Sequence, residues 1–145
     1  MSARKHIAAS LFILALTVTI AAQEQRYANY SVGKYGTKGF EYISFSDQGE
    51  IIYSYINEEK NIKLDYLGSS TWKGSRAFKV QFPNGIILNV IPIGLNLKVV
   101  GDDGKYLKIF RWHYEGPVNG IGTACMVCAD DEKEAMRIIK KNFMK

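Results

Sequence analysis

The sequence predicts a mainly β domain: an antiparallel meander of about eight or nine strands, barrel-like or a curled sheet, carrying one C-terminal α-helix. Three observations predict it. Short runs rich in Val, Ile, Phe and Tyr recur from Tyr27 to Cys128, each broken by turn residues. The connections between them are short, which pairs neighbouring strands antiparallel. Past Asp130 the apolar spacing changes from the period of a strand to that of a helix.

The strands follow in order after a first run at Tyr27. Phe40 to Ser46 and Ile51 to Asn57 are joined through Asp47, Gln48 and Gly49, a turn in which glycine supplies the positive φ. Ile62, Leu64 and Tyr66 alternate with Lys63 and Asp65, and Phe78, Val80 and Phe82 with Lys79 and Gln81, so each has one dry face. Asn84-Gly85 favours a tight hairpin turn. Ile86 to Ile91 and Leu95 to Val100 are apolar on both faces and read as doubly covered strands. Gly101 to Gly104 turns the chain into the run Tyr106 to Tyr114. The irregular loop Gly116 to Gly122 then leads to a last strand from about Thr123 to Cys128.

The helix is expected over about 130–143. Asp131 and Glu134 have the spacing of a capping box. Ala135, Met136, Ile139 and Phe143 share one face, and acids at the start and lysines at the end follow the helix dipole.

Residues 1–22 read as a cleavable signal peptide. Arg4 and Lys5 precede an uncharged, mostly apolar stretch from Ile7 to Ala22, and polarity returns at Gln23. The cut is placed after Ala22, with Ala21 the alternative. The apolar stretch falls short of the ~18 to 20 residues of a spanning helix, so cleavage is favoured over anchoring. The expected address is secreted, periplasmic or cell-envelope, with 23–145 as a single domain and no transmembrane segment after cleavage. Whether Asn29-Tyr30-Ser31 acts as a glycosylation sequon depends on the host.

Cleavage changes the composition. It removes two of the 19 basic residues and none of the 14 acidic ones, leaving a net charge of +3. That mild excess gives no basic stripe for nucleic acid. His6 also goes, and His113 remains as the single histidine.

Cys125-Met126-Val127-Cys128 has the form of a thiol-redox motif, but the helix begins after it, where no dipole activates the first thiol. On an extended strand the two cysteines would stand about 10 Å apart, beyond the ~7 Å reach of a disulfide. The favoured reading is therefore two small core residues on opposite faces, with a disulfide or reactive thiol pair as the alternative. No metal is expected, because zinc needs four ligands and His113 with both cysteines supplies three. No cofactor motif is present either. The loop Gly120-Ile121-Gly122 leads to a strand, whereas phosphate loops lead to a helix N-terminus.

Paired acids at Glu58-Glu59 and Asp102-Asp103 read as turn formers, and Glu41 and Glu50 as acids dispersed over strands. The ligand-binding candidates are aromatic. Trp72 stands in a polar loop, Ser69 to Ser75. Trp112, His113 and Tyr114 end the longest run, where they line a pocket mouth or fill the core. The expectation is a non-catalytic exported domain that binds a small apolar ligand, a glycan or a protein. A thiol-redox protein or enzyme centred on Cys125, Cys128 and His113 is one alternative, and an assembly subunit of the cell envelope that uses a sheet edge is the other.

Overall fold

A computed structural model describes residues 24–55, 58–113, 125 and 127–145. The expected signal peptide, Tyr114, Asn57 and the loop Gly116 to Gly122 lie outside the described residues.

Eight antiparallel strands close into an up-and-down barrel in sequence order, with the C-terminal helix as the further element. They are β1 (Tyr27–Val32), β2 (Glu41–Ser46), β3 (Ile51–Tyr55), β4 (Glu58–Trp72), β5 (Ser75–Gln81), β6 (Ile87–Ile93), β7 (Asn96–Gly101) and β8 (Leu107–Trp112), followed by α1 (Glu132–Phe143). The ring closes where β8 pairs with β1, Trp112 opposite Tyr30. Closure leaves none of these strands with a free edge.

Alternation decides what faces inward. Ala28 and Tyr30 on β1, Ile43 and Phe45 on β2, Phe78 and Val80 on β5, Leu97 and Val99 on β7 and Phe110 on β8 join one buried cluster. An eight-stranded ring is just wide enough for such side chains to fill it. The strand β4 spans 15 residues because it serves both halves of the barrel, pairing with β3 up to Leu64 and with β5 from Asp65. A bulge between Tyr66 and Gly68 bends it, with Gly68 at φ 117°.

The helix forms as its sequence predicts. Asp131 is the N-cap, and its carboxylate accepts from the Glu134 amide at 2.7 Å. Glu134 accepts from the Asp130 amide at 2.7 Å and from the Arg26 guanidinium, which fixes the helix start to the chain just before β1. The buried face, Ala135, Met136, Ile138, Ile139 and Phe143, belongs to the barrel cluster, so α1 plugs the end where β1 begins and β2 ends. Phe143 stacks on Phe78 with centroids 5.4 Å apart and meets Phe45 and Tyr66 edge-on at 5.5 Å each. Side chains of β4 and β5 hold the end of the chain: Tyr66 donates to Phe143 O, the last carbonyl of the helix, and past it Arg76 donates to Met144 O and Ser69 to Lys145 O.

Three expectations need correction. Cys125 and Cys128 are not held apart on an extended strand: the Cys128 amide donates to Cys125 O, the Cα atoms stand 5.4 Å apart, and the two cysteines form a disulfide. Just before the helix, Tyr27 and Cys128 form a lone parallel bridge, with the Tyr27 amide donating to Val127 O and the Ala129 amide to Tyr27 O. Ser69 to Thr71 is strand rather than loop. The hairpin turn is only Lys73-Gly74, both at positive φ (46° and 83°), and Trp72 pairs with Ser75 across it. Finally, the burial on both faces expected of β6 and β7 holds over 88–91 and 99–101 but not along the whole of each strand. Their outward Ile91 and Val100 are buried with Ala77 under the flank of Trp72, while Ile93 stays exposed.

Candidate functional site

At the end of the barrel opposite α1, the strands β2, β3 and β8 present polar atoms to the interior. Glu41 opens β2 in the phase of Ile43 and Phe45, and its carboxylate therefore points inward, 8% exposed as a residue. Burial of a carboxylate is tolerated when its oxygens are satisfied. Here Oε1 accepts from Tyr53 Oη at 2.7 Å and from Tyr106 Oη at 2.9 Å, and Oε2 accepts from Lys108 Nζ. Lys108 lies in the inward phase of Phe110 and reaches Glu41 over the Tyr106 ring, with its ammonium 5.2 Å from the ring centroid.

This cluster lies beside a cavity of about 490 Å³. Its walls are mostly apolar: the rings of Tyr53, Phe82 and Tyr106 with Ile86, Ile87 and Leu88. Tyr53 and Phe82 meet edge-on at 5.0 Å, which fixes the aromatic side of the wall. Asp102, Asp103 and Lys105, from the turn between β7 and β8, stand at the rim. Asp102 accepts from the Asn89 amide and from Lys79, and these bonds hold its carboxyl below the usual range. Burial, followed by the bond and charge of Glu41, pushes the Tyr53 hydroxyl well above the ordinary phenol value. Tyr106 is raised by burial and by the charge and bond of Glu41. Both phenols therefore remain protonated donors to the carboxylate across the ordinary pH range.

Apolar walls with a few convergent polar groups in a barrel mouth are the usual form of a small-molecule site. The residues nominated by sequence lie elsewhere. Trp72 lies against the small outer cluster of Ala77, Ile91 and Val100. Trp112 packs against the barrel core. His113 turns its ring to Ser31 Oγ, 3.1 Å from Nδ1, and meets Phe40 and Tyr42 edge-on. The disulfide sits outside the barrel against β1, where Cys128 Sγ accepts from the Asn29 side chain at 2.9 Å and Ser44 donates to Asn29 at 2.7 Å. The structure thus brings Cys125 and Cys128 together, while His113 has a different set of partners.

Glu41 was treated in the sequence as one dispersed acid among several, yet a signal for it existed. In Glu41-Tyr42-Ile43-Ser44-Phe45 the acid shares the phase of the dry face, and Lys108 shares the phase of Phe110 and Trp112. Opposite charges on two inward phases are what a buried pair requires. Among the described residues, no three His, Cys, Asp or Glu side chains gather to hold a metal ion, and no helix is long and apolar enough to cross a membrane. Compared with models of known families, with curated proteins and with solved structures, the chain gives no match.

Proposed function

We propose that this chain is an exported, non-catalytic binding domain that takes a small apolar ligand into the barrel mouth opposite α1. The observation that carries the reading is the cavity of about 490 Å³, walled by Tyr53, Phe82, Ile86, Ile87, Leu88 and Tyr106. That volume lies in the range of small-ligand sites, and an apolar wall favours an apolar guest over a glycan, which needs many polar contacts. Export is supported by the leader-like composition of residues 1–22 and by the Cys125–Cys128 disulfide, a bond that persists in oxidising compartments. A closed barrel gives little support to assembly through a sheet edge.

The test is titration of the purified protein with Nile red, an uncharged apolar dye. Saturable binding at one dye per chain, lost when Ile87→Trp fills the cavity, supports the reading. Binding that does not saturate, or that ignores Ile87→Trp, overturns it. Export is tested by the mass of the protein recovered from outside the cytoplasm: loss of residues 1–22 supports it, and a full-length chain confined to the cytosol contradicts it.

The disulfide favours a second reading, a thiol–disulfide exchange protein acting through Cys125 and Cys128. After reduction, a fast-reacting, low-pKa thiol would support that reading, and slow, ordinary thiols would remove it.

A further inference from the structure

We infer that the cavity selects an amphiphilic organic amine, its apolar body against the aromatic wall and its cationic head at Glu41 Oε2. The inference rests on the apolar-ligand reading above and adds the chemistry of the head group.

The lone pairs of Glu41 supply the first argument. Two phenol hydroxyls fill Oε1, whereas among the described residues Oε2 accepts from Lys108 alone and keeps a further acceptor position. A guest that reaches Glu41 from the cavity meets an acceptor and needs a donor of its own. The second argument is charge. Three carboxylates line the cavity, those of Glu41, Asp102 and Asp103, together with the ammonium of Lys105, while Lys108 and Lys79, which pair with Glu41 and Asp102, are not part of its lining. An anionic head would meet carboxylate oxygens or would have to displace Glu41 from its three donors, whereas a cationic head meets acceptors on the cavity side. The third is the ring set. Tyr53, Tyr106 and Phe82 line the same space, and aromatic rings attract organic cations; Tyr106 already holds the Lys108 ammonium over its ring.

The partner of Glu41 also looks replaceable in kind. Lys108 has a side chain 38% exposed against 11% for Glu41, so its ammonium regains water easily if a guest ammonium takes its place. Lys108 then acts as an internal stand-in for the guest, and removing it leaves the carboxylate available.

Calorimetric titration of the purified protein with octylamine, octanol and octanoate at neutral pH tests this, since the three share a body and differ in the head. Octylamine is expected to bind about tenfold tighter than octanol, about 1.4 kcal/mol, with octanoate weakest. In Glu41→Gln the advantage of octylamine over octanol disappears. In Lys108→Met octylamine affinity rises. Octanoate binding as tightly as octylamine, or a Lys108→Met variant that loses octylamine affinity, overturns the amine inference and leaves the apolar-ligand reading standing. Failure of all three and of Nile red overturns that reading as well. If Glu41→Gln does not fold, the three-ligand series on the unaltered protein and Lys108→Met decide the matter.

Discussion

The hydroxyl of Tyr53 lies 2.7 Å from Oε1 of Glu41, one strand away, inside the barrel. The pair joins the end of β3 to the start of β2 at the mouth. It also explains why an acid is tolerated on a face that otherwise holds Ile43 and Phe45: the phenol, with Tyr106 and Lys108, replaces the water the carboxylate lost.

This relationship has a pH consequence. Tyr53 and Tyr106 lose their protons near pH 10 when unfolded but hold them to higher pH when folded, because burial and the adjacent carboxylate disfavour the phenolate. A raised folded pKa stabilises fully below the unfolded value, and that stability is lost as pH rises past it. Urea midpoints should therefore fall steeply above about pH 10. In Tyr53→Phe the fall should be shallower, and its stability at pH 7 should drop by about 1.5–3 kcal/mol, the worth of a hydrogen bond to a charged group.

Tyr30 shows the opposite balance. It is fully buried in the core, burial raises its hydroxyl pKa, and that hydroxyl finds no hydrogen-bond partner among the described residues. Tyr30→Phe removes an unpaired polar atom and leaves the ring against Phe45 in place. The variant should be more stable by about 1 kcal/mol, read as a rise in melting temperature.

Phe143 is the plug of the α1 end, wholly buried among Phe45, Tyr66 and Phe78. Phe143→Ala should cost about 3–5 kcal/mol in denaturant titrations. Tyr66→Phe loses only the bond to Phe143 O and should cost about 1 kcal/mol.

The disulfide closes a very short loop, with cysteines three apart in sequence. Loop-closure entropy for so short a span gives about 2 kcal/mol. Reduction should lower the unfolding free energy obtained from urea titration by that amount and leave the far-ultraviolet circular dichroism of the folded protein unchanged, because none of the eight strands contains either cysteine.

Much of the barrel was legible because one-sided burial writes itself into the chain as a period of two. Phe78 and Val80 gave the phase of β5, and Asp131 with Glu134 gave the helix start. Trp72 was misplaced because Ser69 to Thr71 are polar, yet their backbones pair with β5 and need no apolar side chain to do so. The cysteines were misread because an apolar run does not disclose that the backbone turns within it.

By itself the sequence determined the strand phases, the hairpin turns at Asp47 to Gly49, Asn84-Gly85 and Gly101 to Gly104, the helix cap and the aromatic supply, all set by interactions among near neighbours. Closure of the ring, the seating of Phe143 in its α1 end, the Cys125–Cys128 bond and the meeting of Glu41 with Tyr53, Tyr106 and Lys108 were decided only in three dimensions. Glu41 and Lys108 are 67 residues apart, and local spacing carries no information about such a pair. Only the curvature that brings β8 round to β1 places the two charges across one mouth.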